Sequence, residues 1–217
     1  MSAALPDLAA PTDLDILSHR KVFQGYFRID EYTVRHGRFD GGWTGPITRE
    51  VFERGHAAAL LPYDPDRDAF VLCQQFRIGA MAAGMDPWQI ECVAGIIEAG
   101  ESPQDVARRE TIEESGCTAV DLIPIQRYLV SPGGASETVW LYLGRVSSIG
   151  AGGIFGLPEE NEHIRVFTAT SQQLRRMLDE KRIENAATLL AVQWFFLNRD
   201  LVAKTWTRQL GTHESPA

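Results

Sequence analysis

Long apolar runs are missing from this chain. No stretch of its 217 residues approaches the roughly 20 apolar residues that cross a bilayer, so no membrane partner is expected. Basic residues are in deficit: 21 Lys and Arg against 29 Asp and Glu leave a net charge of −8, which argues against a nucleic-acid or anionic-membrane partner. Cysteine is scarce. Cys73, Cys92 and Cys117 lie in apolar, strand-like or helix-end settings with no CxxC spacing. Reduced core thiols in a cytoplasmic protein are therefore expected, and a zinc site is not. The five histidines form no ligand pair, and neither an internal repeat nor a low-complexity tract is present. The opening residues, MSAALPDLAAPTDLD, are acidic and broken by prolines, unlike a signal or transit peptide. What is present in quantity is core-forming material: 44% hydrophobic residues suffice for one good core with a small appendage.

The most informative stretch is Gly95 to Cys117, GIIEAGESPQDVARRETIEESGC. Ser102 reads as an N-cap, Pro103 as the first helical residue and Asp105 as an acid near the positive end of the helix dipole. Gly116 supplies the stop. On the helix between them Glu110, Glu113 and Glu114 stand at i, i+3 and i+4, within an arc of about 100°. Three carboxylates so close repel one another. Such a triplet is either a solvated face or an oxygen ligand set for a hard divalent cation, Mg²⁺ or Mn²⁺. Two neighbours favour the cation: Arg109 lies one turn before Glu113, where it orients or partly neutralises the acids, and Arg108 interrupts the apolar side expected of an ordinary surface helix.

Around this segment the chain reads as mixed α/β. Residues 1–15 look loosely attached. Residues 16–55 form a β-rich region in which Lys21 to Phe52, with the turn Asp40-Gly41-Gly42, predicts a small antiparallel sheet. That sheet is too short to stand comfortably alone and is expected to pack on something, a second subunit included. Residues 56–206 alternate. Strand-like runs are His56–Pro62, Ala69–Phe76, Trp88–Val93, Val120–Val130, Val139–Val146 and Ile164–Thr168. Two helices are predicted after them, Ser171–Lys181 and Asn185–Arg199, the second with the stripe Leu189, Val192, Phe196 facing the core. Residues 207–217 read as a tail.

Gly95, five residues, Glu101, seven residues, Arg109-Glu110, two residues, Glu113-Glu114, one residue and Gly116 together resemble the signature of the Nudix hydrolases. Thr111 and Cys117 depart from the pattern, standing where the family usually has aliphatic residues; both are modest in size and compatible with burial. The resemblance runs from about Lys21 to Trp206. It implies an α-β-α sandwich with a small N-terminal antiparallel sheet, and hydrolysis of a nucleoside diphosphate linked to another group. It also implies that Glu101 and Arg109 pin the loop-helix-loop through a salt bridge. The implied metal ligands are Glu110, Glu113, Glu114, the backbone carbonyl of Ala94 and Glu162, with Mg²⁺ as cofactor and Mn²⁺ as a substitute.

Features outside this segment are similar to the ADP-ribose pyrophosphatase subfamily. Pro132, within Ser131-Pro132-Gly133-Gly134, lies sixteen residues after Gly116 and is followed by Ser136-Glu137; by itself the tetrapeptide is also an ordinary turn. The loop GLPEENEHIR carries Glu159, Glu160 and Glu162, which in isolation would read as solvated acids. The resemblance places the catalytic base there, at Glu160, acting with Glu110 and Glu114; the neighbouring glutamates stay open. Tyr26 is implied to stack on adenine, and Arg49, Glu50, Arg77, Pro132 and Glu137 to bind substrate. By strand propensity alone, Tyr26 and Phe27 are equally well half-buried strand residues. The implied reaction is cleavage of ADP-ribose to AMP and ribose 5-phosphate by a cytoplasmic homodimer whose N-terminal sheet crosses to the partner. The alternatives are a GDP-mannose or other nucleotide-sugar diphosphatase, and a sensor that binds ADP-ribose without cleaving it.

Overall fold

Two consecutive segments, Ala57–Asp64 (β4) and Ala69–Phe76 (β5), are apolar on both sides and almost fully buried. Strands of that kind belong inside a layered fold, covered from above and below. Alternation then sorts their side chains. Ala58, Leu60, Val71 and Cys73 enter one core cluster, and Ala59, Leu61, Tyr63, Phe70 and Leu72 enter the other. The computed structural model describes residue 6, residues 8–157 and residues 161–210, the last four of these as helical backbone alone. It divides into two units, residues 1–54 with 131–137, and residues 55–130 with 138–217.

The first unit is a three-stranded antiparallel meander of Leu14–Gln24 (β1), Arg28–His36 (β2) and Ile47–Glu53 (β3). The sheet expected from Lys21 thus begins seven residues earlier. Bulges between Ile16 and Ser18 and between Lys21 and Phe23 explain why: each inserts a residue and flips the phase, so no single alternation runs through LDILSHRKVFQ. Among the residues of these strands Asp30 alone is buried, flanked by His19 and Arg28, each 2.9 Å away. The segment Ser131–Glu137 joins this unit through Phe52, whose N–H donates to the Gly134 carbonyl (2.8 Å) and whose carbonyl accepts from the Ser136 N–H (3.3 Å).

The second unit is built on an eight-stranded mixed sheet. Its other members are Trp88–Glu91 (β6), Val93–Ile96 (β7), Asp121–Leu129 (β8), Thr138–Arg145 (β9), Gly153–Phe155 (β10) and Ile164–Thr170 (β11). The path is β10-β11-β5-β4-β9-β8, with β4 and β9 parallel. Strands β4 and β5 pair only at Tyr63–Phe70 and Asp64–Ala69. Beyond those rungs they separate, β6 running along β5 and β7 along β4. The single strand expected over Trp88–Val93 is therefore two, because the chain changes neighbour at Cys92. This opening sets Ala94 and Gly95 in the middle of the sheet.

Helix α2 (Pro103–Ser115) covers one face with Val106 and Ala107. It starts and stops as its caps predict: Ser102 Oγ accepts from the Asp105 N–H, and Gly116 adopts φ 69°, a left-handed conformation. Thr111 and Cys117 are buried. The other face is covered by Ser171–Asp179 (α3), Ala186–Leu197 (α4) and Arg199–Leu210 (α5). The last helix and the short Ile78–Ala82 (α1) were not expected. The stripe expected on α4 does face the core, with Val192 buried and Leu189 and Phe196 partly buried against it, but the centre of the buried side is Thr188, Ala191, Val192 and Phe195. The sequence AATLLAVQWFFL is apolar around its circumference, so periodicity alone does not choose the buried side. Helix, sheet, helix: the second unit is an α-β-α sandwich, and the first is the small antiparallel sheet that was expected.

Candidate active site

Strand β7 and helix α2 meet at Gly95. A Cβ on that residue would land on the Glu110 carboxylate, so a side chain there would have to push the acid out of its present position. One residue earlier, the Ala94 N–H donates to Glu114 Oε2 at 3.1 Å. The Glu114 side chain therefore lies on the buried side of α2, not the solvated side an acidic residue normally takes. Arg109 clasps its neighbours. Its Nη1 donates to Glu110 Oε1 at 2.8 Å and to Glu113 Oε2 at 3.0 Å, and its Nε reaches Glu101 Oε1 at 3.3 Å. Glu101 in turn accepts from the Glu98 N–H at 3.0 Å, closing the loop before the helix. The salt bridge expected between Glu101 and Arg109 is this contact.

A further carboxylate arrives from the loop before β11. Glu162 Oε1 accepts from Gln75 Nε2 at 3.2 Å, and its Oε2 accepts from the Leu157 N–H at 3.4 Å. Burial pushes Glu114 up to about 8; the Ala94 N–H works against this, and the charges of Glu110 and Glu162 add to it. Burial also raises Glu110, against the pull of Arg109 and with the repulsion of Glu113 and Glu162. These are carboxylates that need positive charge beyond what Arg109 supplies.

Among the described residues no three His, Cys, Asp or Glu side chains already enclose a point as a finished metal shell. Glu110 and Glu113 turn toward Arg109, and Glu114 toward the Ala94 amide. The donor chemistry nonetheless fits a hard divalent cation: several carboxylate oxygens of one sign, partly desolvated and mutually repelling, are what Mg²⁺ or Mn²⁺ takes. A cation there would displace the proton that burial favours on Glu114.

The expected substrate-binding residues divide between the units. Arg77 belongs to the second and is tied to a partner the sequence did not suggest: its Nε and Nη2 donate to Glu91 Oε2 at 2.9 and 2.7 Å. Glu91 is almost fully buried, as is Gln75. The signal for Glu91 was available, since a carboxylate inside the strand-like run WQIECV has to be paired. Tyr26, Arg49, Glu50, Pro132 and Glu137 belong to the first unit. Tyr26 is 88% exposed at the β1–β2 turn, its ring edge-on to Phe27 at 4.8 Å. Arg49 and Glu50 are exposed on β3, and the Arg49 guanidinium donates to the Thr48 carbonyl at 2.7 Å. Pro132 sits in an exposed turn closed by the Gly134 N–H on the Ser131 carbonyl. Glu137 is buried beside Arg54 at 3.5 Å. Glu159 and Glu160, the latter expected to be the base, lie outside the described residues.

A NUDIX domain model matches residues 53–205. The chain is 43% identical over 202 residues to an ADP-ribose pyrophosphatase of Escherichia coli K12, covering 93% of this chain and 97% of the relative. An ADP-ribose pyrophosphatase of Haemophilus influenzae is 37% identical over 199 residues, covering 90% and 92%. A GDP-mannose pyrophosphatase of Enterobacter sp. (strain 638) is 28% identical over 186 residues, covering 83% and 94%. A solved structure described as an ADP compounds hydrolase superposes with a TM-score of 0.67 at 18% identity, covering 91% of this chain and 98% of that one; at that identity it speaks for the fold alone.

Because the Glu110 carboxylate fills the space a Cβ would take at Gly95, Gly95→Ala is expected to displace that acid while the fold persists. Circular dichroism should be unchanged and Mn²⁺ affinity, by calorimetric titration, should fall about tenfold or more. Unchanged affinity would show that Glu110 is not a ligand.

Proposed function

Because this chain belongs to the NUDIX family, we propose that it hydrolyses the diphosphate bond of ADP-ribose, giving AMP and ribose 5-phosphate with Mg²⁺ as cofactor. The observation that carries the reaction type is the cluster at Gly95, where half-buried Glu110 fills the space a Cβ would take and buried Glu114 accepts from the Ala94 N–H, with desolvation and the charge of Glu162 raising both acids. Support for the substrate comes from the ADP-ribose pyrophosphatases at 43% and 37% identity over nearly the whole chain, against 28% for the GDP-mannose enzyme.

In this reading Glu110, Glu113, Glu114, Glu162 and the Ala94 carbonyl hold the metal. When bound, a divalent cation neutralises diphosphate oxygens and orients water for attack. The chain's own residues do the rest. Glu160 accepts the proton as the water oxygen bonds to phosphorus and the P–O bridge breaks, the electron pair leaving with the departing phosphate. Arg77 meets the substrate's phosphate charge with its Nη1, which makes no hydrogen bond to the described residues. Arg109 and Glu101 hold the loop before α2 in register. Tyr26 stacks on the adenine, and Arg49, Glu50, Pro132 and Glu137 contact the nucleotide. The chain works as a homodimer, the first unit being its dimerisation and substrate-binding region and the second its hydrolase domain. Among the described residues no helix is long and apolar enough to cross a membrane. The three cysteines are free and buried, which suits a reducing compartment, and we place the enzyme in the cytoplasm.

Incubation with Mg²⁺ and, separately, ADP-ribose, GDP-mannose and ADP-glucose, with chromatographic analysis of products, tests the substrate. Chelator-sensitive release of AMP with preference for ADP-ribose is expected; preference for GDP-mannose would move the substrate and keep the chemistry, and tight ADP-ribose binding without turnover would make the protein a sensor. The base is tested by Glu160→Gln, expected to lower kcat by about 10²–10⁴-fold. A severe loss in Glu159→Gln or Glu162→Gln with Glu160→Gln near wild type would move the base.

A further inference from the structure

Alternate residues at the end of β5 and just past it deliver three side chains toward the same acids. Cys73 Sγ lies 3.9 Å from the Glu114 carbonyl oxygen, and Gln75 Nε2 donates to Glu162 Oε1 at 3.2 Å. Arg77 follows, with its positive charge acting on both Glu114 and Glu162. A guanidinium on a flexible stem near two carboxylates normally collapses onto them as an ion pair, since a fork of N–H donors matches a carboxylate well. Here that would occupy the oxygens a cation needs.

The guanidinium is engaged elsewhere. Its Nε and Nη2 both go to Glu91 Oε2. Glu91 is itself held: its other oxygen accepts from Asn185 Nδ2 at 3.0 Å. Asn185 is the N-cap of α4, its Oδ1 accepting from the Thr188 N–H and hydroxyl, each at 3.1 Å. The Thr188 hydroxyl oxygen accepts from the Cys92 N–H at 2.9 Å, one residue after Glu91. The carboxylate of Glu91 is thus buried, doubly satisfied and anchored to a helix terminus, although nothing in the proposed reaction touches it. A buried charge of this kind is costly unless it is paired, and its placement asks for a task.

We propose that Glu91 is a positioning residue that holds the Arg77 guanidinium away from Glu114 and Glu162, keeping those carboxylates free for a divalent cation and leaving Arg77 Nη1 for a substrate phosphate. This rests on the metal-dependent reading above. It makes the N-terminus of α4, on the far layer of the sandwich, part of the machinery that sets metal affinity.

The test is calorimetric Mn²⁺ titration without substrate on the wild type, Glu91→Gln, Arg77→Ala and the double variant, each checked for fold by circular dichroism. Glu91→Gln frees Arg77 to pair with the metal-binding acids and should weaken Mn²⁺ binding about tenfold or more. Arg77→Ala should not weaken it, and the double variant should return to the Arg77→Ala value, a recovery that a merely structural role for Glu91 would not produce. Wild-type affinity in Glu91→Gln, or a double variant as weak as Glu91→Gln, overturns the proposal. Should Glu91→Gln fail to fold, Asn185→Ser keeps a capping oxygen on α4 and deletes only the amide behind Glu91. It should weaken Mn²⁺ binding in the same Arg77-dependent way, and an unchanged affinity there overturns the proposal instead. Failure of the wild type to bind Mn²⁺ removes both this and the proposed function, whereas Mn²⁺ binding without ADP-ribose turnover removes only the substrate reading.

Discussion

The structure turns on one electrostatic conflict: several carboxylates are held close to one another, and one of them, Glu114, is almost wholly withdrawn from water. Glu114 is almost completely buried, its charge opposed by burial and by Glu110 and Glu162. Packing leaves it no retreat, because the same helix turn buries Thr111 and Ser115 and ends at Gly116. Apolar side chains in these positions would stabilise a fold more simply. The conflict therefore marks a place where the fold carries function at some cost in stability. Arg109 relieves it in part from the solvent side and Arg77 from the β5 side, but neither guanidinium is placed to satisfy Glu114 directly.

Sheet geometry makes the conflict possible. Because β4 and β5 pair at only two rungs before parting, β7 runs along β4 directly under α2. The Ala94 amide and the bare Gly95 backbone then face the acids. The same separation brings Glu91 and Arg77 together across β5 and β6 and carries the network on to α4. Both faces of the sheet thus contribute: α2 supplies the carboxylates, and the cap of α4 fixes the group that would otherwise neutralise them.

The sequence made much of this legible, and the reasons differ from place to place. The Gly95–Gly116 segment could be read because each residue there has a local meaning: a cap at Ser102, a stop at Gly116, one-sided acids between them. The break at Cys92 was not legible, because two short strands on different neighbours look like one apolar run. The start of β1 was hidden by its two bulges, and the buried side of α4 by a composition apolar all round. Glu91 was passed over for another reason. It carries no motif, and its partners lie 14 and 94 residues away in the chain, so only the fold shows that it links Arg77 to Asn185. Of the residues expected to bind the nucleotide, Tyr26, Arg49, Glu50, Pro132 and Glu137 were drawn from resemblance and not from any physical signature of their own. Tyr26, Arg49, Glu50 and Pro132 are exposed on the first unit, whereas Glu137 is buried beside Arg54.

The most direct measurement is a crystal of the protein soaked in Mn²⁺ and examined by anomalous scattering, which locates the ion independently of any assay. We expect a peak among the Ala94 carbonyl, Glu110, Glu113, Glu114 and Glu162, with the Arg77 guanidinium still on Glu91. An ion bound elsewhere, or an unoccupied cluster in which Arg109 keeps Glu110 and Glu113 at saturating Mn²⁺, would contradict the central claim that these acids hold a metal.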